Sequence, residues 1–252
     1  GLRPYITASE QSTLIAGQGA ELNTANIANG SIFDTSELLE VGIKGSLLED
    51  QLYFALSWYE QERTDFSAQS IVTNQSTETE GFEFELRWAA TDRLLLTAGW
   101  SKIEVNNLTT EENGGNFSFI GAEDLPLIAP ETFYGGTLGA FVLSSNTRRA
   151  GIPENIFSLT GTYDFTDNFA AHASVVYAEE ANAGLTGQVE LPDYTLVNLG
   201  FQYQTQQWLF NVNVKNLTDE EYYRSNFPNL FGGTIVLPEL PRHYAATLQY
   251  SF

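Results

Sequence analysis

The sequence has no cysteine and no methionine among its 252 residues. Without cysteine there are no disulfide staples and no thiolate metal sites, although many cellular compartments remain compatible. Basic residues are scarce as well: eleven Lys and Arg stand against thirty-two Asp and Glu, a formal charge of -21. A nucleic-acid binder needs a basic stripe, so nucleic acid is excluded as the main partner. There is no initiator Met and no basic-then-apolar opening segment, so Gly1-Leu-Arg-Pro4 reads as a start in mid-protein. Any signal peptide is expected to have been removed or to lie on another part. No apolar run approaches the roughly 20 residues of a membrane helix, and any spanning therefore falls to strands. Histidine is limited to His172 and His243, with no Glu-x-x-His or His-x-x-x-His spacing. No resident metal or cofactor is expected, and no Gly-x-Ser-x-Gly or carboxylate pair beside a histidine suggests catalysis.

What the chain does have is alternation. From Tyr244 onward, Tyr244, Ala246, Leu248, Tyr250 and Phe252 share one side of a strand, and Ala245, Thr247, Gln249 and Ser251 the other. A two-faced strand of this kind fits a half-buried β-sandwich strand or the lipid-and-lumen strand of an outer-membrane barrel. The same design recurs in hairpins. Leu39, Val41, Ile43 and Leu47 lead through a Glu49-Asp50 break to Leu52, Phe54, Leu56 and Trp58. Phe82 to Trp88 turns at Thr91-Asp92 into Leu94 to Trp100, and Phe157 to Phe165 turns at Thr166-Asp-Asn168 into Phe169 to Tyr177. Val197 to Tyr203 turns at Thr205-Gln206 into Trp208 to Val214. Residues 3 to 9 suggest a short, poorly alternating strand. The stretches from there to about Ser36, Arg63 to Thr77, Asn106 to Pro153, 181 to 190 and Leu217 to Leu240 read as loops.

The sum is about ten strands of roughly 9 to 12 residues joined alternately by short turns and long loops, the asymmetry of transmembrane β-barrels. The faces opposite the apolar ones carry Glu40, Lys44, Glu83, Glu85, Arg87, Asn198, Gln202, Asn211, Asn213, Lys215 and Gln249. Burying so many charges dry costs several kcal/mol each, so these faces must meet water or a hydrated plug. The predicted fold is all-β, an antiparallel transmembrane barrel. Acidic residues cluster in the loops, where they serve solubility; bridging of divalent cations, including those on lipopolysaccharide, is the other reading.

Three pieces carry a family resemblance: Glu37-Leu-Leu-Glu-Val-Gly-Ile-Lys44 with the strand ending Tyr59-Glu-Gln-Glu-Arg-Thr-Asp65; Gly81-Phe-Glu-Phe-Glu-Leu-Arg87; and Val212-Asn-Val-Lys-Asn-Leu-Thr-Asp219 with Tyr222-Tyr223, Pro241-Arg242 and the last strand. In order and spacing the chain resembles the C-terminal part of a TonB-dependent outer-membrane receptor. The resemblance implies about 22 strands around a plug. This chain would supply the last ten or so, residues 1–252, with the plug, the TonB box and the early strands elsewhere. It further implies uptake of a scarce nutrient, most often a ferric siderophore, energised by the TonB-ExbB-ExbD complex. Outer-membrane lipid and lipopolysaccharide would surround the wall, and Tyr250 and Phe252 would form the signal read by the barrel-assembly machinery.

Candidate ligand contacts are the aromatic and basic residues of the long loops: Phe117, Phe119, Tyr134, Arg148, Arg149, Tyr222, Tyr223, Arg224 and Phe227. Arginines hold anionic chelates or carboxylates by paired hydrogen bonds, and aromatic rings flank flat ligands; loop self-packing or lipopolysaccharide contact would use the same residues. Two rivals to active uptake remain, a passive substrate-specific porin and an omptin-like barrel protease that would place His172 or His243 at its rim.

Overall fold

In a computed structural model the described residues are 1–14, 24–30, 32–64, 76–108, 116–121, 137–143, 147–148, 151–182, 190–228 and 234–252. Strands β1 (Leu2–Leu14), β2 (Phe33–Leu47), β3 (Leu52–Thr64), β4 (Ser76–Thr91) and β5 (Leu94–Leu108) pair in order. A short helix α1 (Thr24–Asn29) lies between the first two. The connection after β5 carries β6 (Asn116–Gly121), which pairs with β7 (Thr137–Leu143), and β8 (Thr147–Arg148), which lies against β5. The main sheet resumes with β9 (Asn155–Thr166) and β10 (Phe169–Ala178). After a small pair, β11 (Ala181–Asn182) with β12 (Glu190–Leu191), come β13 (Tyr194–Gln204) and β14 (Trp208–Lys215). A loop hairpin of β15 (Tyr223–Pro228) and β16 (Thr234–Pro238) precedes the last strand, β17 (His243–Tyr250). The ten wall strands run β1-β2-β3-β4-β5-β9-β10-β13-β14-β17, all antiparallel.

Four turns lie at one end, and three of them share a chemical signature. Thr91 accepts a bond from the Arg93 amide, Thr166 from the amides of Asn168 and Phe169, and Thr205 from those of Gln207 and Trp208. Each threonine hydroxyl thus caps the turn it opens. The fourth turn runs through Leu48, Glu49 and Asp50, all with positive φ (54°, 56° and 68°) and none of them glycine.

Register carries one apolar face across the wall. Ile6 lies opposite Val41, Val41 opposite Trp58, Trp58 opposite Phe82; Phe84 faces Trp100, Trp100 faces Phe157, and Phe157 faces Tyr177. Val175 then meets Val197, Phe201 meets Val212, and Val212 meets Ala246. This face is open to its surroundings: Ile6 is 71% exposed, Phe210 46% and Leu248 66%. Among the described residues the buried apolar side chains are only Val105, Ala178, Ala181 and Leu191. Among these described residues no dry centre gathers the aromatic rings, as a sandwich core would.

Aromatic rings border the apolar band. On the turn side, ring contacts link Tyr163 to Phe165 (4.8 Å), Phe165 to Phe169 (5.4 Å), Trp208 to Tyr250 (4.6 Å) and Tyr250 to Phe252 (5.0 Å). On the loop side Phe82 meets Trp100 (5.4 Å), whose indole N–H donates to Asn155 (3.3 Å). Phe157 to Phe165 spans about 26 Å of strand, close to the height of the lipid-facing band of outer-membrane barrels, about 25 Å. Beyond the loop-side ring the same face turns acidic, with Glu10 opposite Glu37, Glu37 opposite Glu62 and Glu62 opposite Glu78.

Several expected boundaries shift. β1 runs to Leu14 rather than ending near residue 9, β2 begins at Phe33, and the region read as loop between them contains α1. Wall strands range from 8 to 16 residues. The connections at 106–153 and 217–240 carry their own strand pairs.

Candidate functional site

The alternate positions form the second face. Lys44 lies opposite Ala55 and Ala55 opposite Glu85; Glu85 meets Gly99 and Gly99 meets Ser158. Farther along, Ser174 faces Asn198, Gln202 faces Asn211, and Leu209 faces Gln249. Every polar residue assigned to the interior from alternation therefore belongs to one continuous surface.

Its first part is held by aromatic side chains lying over glycines. The Tyr5 hydroxyl donates to Glu40, and the Lys44 ammonium sits 4.6 Å from the Tyr5 ring centre. The ring leans over Gly42, where an added Cβ would come within 2.6 Å of it and 2.7 Å of the Leu56 carbonyl. Tyr59 covers Gly81 in the same manner, and His172 covers Gly200 beside Asn213. His243 hydrogen bonds through Nδ1 to the Pro241 carbonyl at 2.9 Å. The two histidines lie on separate strands, and among the described residues no cluster of His, Asp or Glu is suited to a metal.

At the loop end Asn216 forms a buried node with φ of 52°. Its backbone amide donates to Asn198 Oδ1 (3.0 Å), and its side-chain amide donates to the carbonyls of Glu220 (2.9 Å) and Leu240 (3.3 Å). Its Oδ1 accepts the Glu220 amide at 2.8 Å. Asp219 accepts the Arg242 amide (2.8 Å) while the Arg242 guanidinium reaches the Leu217 carbonyl (3.2 Å). Asn-Leu-Thr-Asp and Pro-Arg, distant in sequence, are thus the two feet of one loop.

On these feet stand three of the predicted contacts. Tyr222 packs on Tyr194 with ring centres 4.8 Å apart. Tyr223 packs on the small core of Ala181 and Leu191, and its hydroxyl donates to Glu221 at 2.8 Å. Arg224 reaches Glu239 Oε1 through Nε at 2.7 Å and Nη2 at 2.6 Å. Burial, with Glu239 nearby, pushes the Tyr222 phenol above its usual range, partly offset by Arg224; the bond to Glu221 raises Tyr223, and the bond to Glu239 raises Arg224. Tyr194 and Glu239, which sequence reasoning missed, join this cluster, Tyr194 through its ring contact with Tyr222 and Glu239 through the strand pairing that aligns Arg224 with Leu237.

The other candidates scatter over the loop end. Phe117 and Phe119 pair with Val142 and Ala140, Arg148 with Asn106, and Phe227 with Ile235. Tyr134 and Arg149 lie outside the described residues. At the opposite end Tyr250 pairs with Trp208, and its ring contacts Phe252.

Comparison with known proteins fits this geometry. The metal-pseudopaline receptor CntO of Pseudomonas aeruginosa is 24% identical over 237 residues, 88% of this chain and 29% of that protein. The catecholate siderophore receptor Fiu of Escherichia coli is 25% identical over 187 residues, 65% of this chain and 24% of that protein. The chain thus spans less than a third of the length of these relatives. Among solved structures, the siderophore receptor PiuA of Acinetobacter baumannii superposes over 99% of this chain and 34% of its own at a TM-score of 0.72 and 14% identity. The ferric yersiniabactin uptake receptor FyuA of Yersinia pestis does so over 100% and 35%, at 0.70 and 12%. The family model described as TonB dependent receptor-like, beta-barrel, matches residues 3–217. With its two-faced antiparallel wall, the chain belongs to the TonB-dependent receptor β-barrel family.

Proposed function

We propose that this chain is the C-terminal wall of a plugged outer-membrane barrel that takes up a scarce metal chelate, a ferric siderophore, and performs no chemistry itself. The observation that carries the reading is the sheet's pair of unlike faces: an exposed apolar face between aromatic rings, and a polar face rich in charges and amides. A wall between lipid and water accounts for both. Among the described residues the sheet is open at β1 and β17, which suits completion by further strands of a larger barrel. The relatives' siderophore and metal-chelate ligands support the cargo class.

In this reading a plug on another part of the protein carries the TonB box and is remodelled by TonB-ExbB-ExbD. Lipid and lipopolysaccharide surround the apolar face, and the barrel-assembly machinery reads Tyr250 and Phe252. Cargo meets the loop end, where Phe117, Phe119, Tyr134, Arg148, Arg149, Tyr222, Tyr223, Arg224 and Phe227 are the proposed contacts. Arg224, already forked on Glu239, is better suited to shaping that surface than to gripping an anion.

The test is iron uptake by cells carrying the complete protein as their sole receptor, with TonB present or deleted. Saturable, TonB-dependent uptake of one ferric siderophore, weakened by R148A with R149A, is expected. Uptake that persists without TonB indicates a porin. Cleavage of outer-loop peptides that His172→Ala or His243→Ala abolishes indicates a protease.

A further inference from the structure

The polar face divides into two chemically different sectors. On β1 to β4 it carries Arg3, Glu40, Lys44, Glu83, Glu85 and Arg87, and among the described residues Glu85 and Arg87 form no ion pair. From β9 to β17 its charges are confined to Asp164 near the turn end and Lys215 at the loop end, apart from the two histidines. The middle is uncharged, with hydroxyls and amides that bond to one another, Asn198 to Ser174 (3.0 Å), Asn213 to Asn211 (3.1 Å) and Gln202 to Gln204 (3.3 Å), set among small and apolar side chains such as Val176 and Leu196.

Resting on the plugged-barrel reading above, we propose that the plug is anchored against β1 to β4 and that water and hydrophilic cargo pass along β9, β10, β13, β14 and β17. Charges of both signs facing a confined lumen need counter-charges, and bonds to charged groups are roughly twice as strong as neutral ones. Whatever lies against β1 to β4 is therefore held by ion pairs that resist separation. A self-bonded amide and hydroxyl surface exchanges a neutral neighbour for water at little cost, because water-mediated bonds are nearly as good as direct ones. A barrel that must both seal and open does so where its wall is neutral.

The experiment uses the full-length protein in detergent, with any cysteine elsewhere replaced, and single substitutions T160C and T247C in the neutral sector against A55C and T79C in the charged one. Iodoacetamide, being uncharged, reports access without bias from local charge; each rate is normalised to the same variant in denaturant. At low salt the neutral-sector thiols are expected to react at least tenfold faster, and 1 M NaCl is expected to shrink that ratio by loosening the ion pairs. In cells, attachment of a bulky maleimide at T160C or T247C is expected to cut iron uptake at least fivefold. Equal slow rates in both sectors, or faster reaction at A55C and T79C, overturn the sector assignment alone. Fast, salt-independent reaction at all four positions indicates an open lumen and overturns the plugged reading itself.

Discussion

Asn216 shows how a single side chain organises the loop end. Its left-handed φ is one that asparagine adopts more readily than alanine, and its amide satisfies three backbone groups at both feet of the 217–242 loop. Unpaired buried polar groups cost about 1–3 kcal/mol each, and alanine lacks the local side-chain hydrogen bonding that eases the left-handed region for asparagine. Asn216→Ala is therefore expected to destabilise the loop by about 2–4 kcal/mol. Asn216→Gly, which keeps the backbone angle but loses the bonds, is expected to be less harmful. Limited proteolysis within 217–242, with heat-dependent gel mobility confirming an intact barrel, distinguishes the two variants. Equal resistance of wild type and Asn216→Ala would show that the node does not hold the loop. The motif was visible in the sequence as a resemblance, but not its role, because Glu220 and Leu240 contribute backbone atoms that no side-chain pattern announces.

At the scale of the strand, the wall hairpins were legible because one face must be apolar and the other polar throughout the membrane, and that requirement writes a period of two. The threonine-led turns were legible for a similarly local reason. The outer half of β1, Ser9 to Leu14, was not: it pairs with β2 above the apolar band, where no lipid demands alternation and backbone pairing suffices. The loop hairpins β6/β7 and β15/β16 escaped for the same reason. What sequence alone also hid was the seating of rings over glycines, since Tyr5 and Gly42 become neighbours only once register is set. Gly42→Ala would force the ring aside and press on the Leu56 carbonyl, which as backbone has less room to yield. Overpacking of this kind costs about 1–3 kcal/mol. Unfolding of the detergent-solubilised barrel in guanidinium is expected to shift to lower denaturant by that amount, whereas Gly161→Ala, whose added Cβ would come within 3.2 Å only of the flexible tip of Leu96, is expected to shift it less.

For the whole molecule, the proposed reading puts closure of the wall on its edge strands, β1 and β17. Among the described residues β17 has one bonded neighbour, β14, and its other edge is unpaired. Its aromatic end continues the turn-side ring through Trp208, Tyr250 and Phe252. An unpaired edge in lipid is not tolerated, because each unsatisfied backbone group there costs several kcal/mol. The wall is therefore stable in a membrane only when the outer edges of β1 and β17 are paired, and in the reading proposed above they pair with further strands. Deleting Tyr250 to Phe252 removes the Trp208–Tyr250 pairing, the Ser251 amide bond to the Gln207 carbonyl and the aromatic terminus together. The expected outcome is loss of the folded, heat-modifiable form from the outer membrane, whereas Tyr250→Phe, which keeps ring and pairing, is expected to assemble normally. Surface labelling at wild-type levels in the deletion would mean that β14, rather than β17, can serve as a closing edge, and that the aromatic terminus is dispensable.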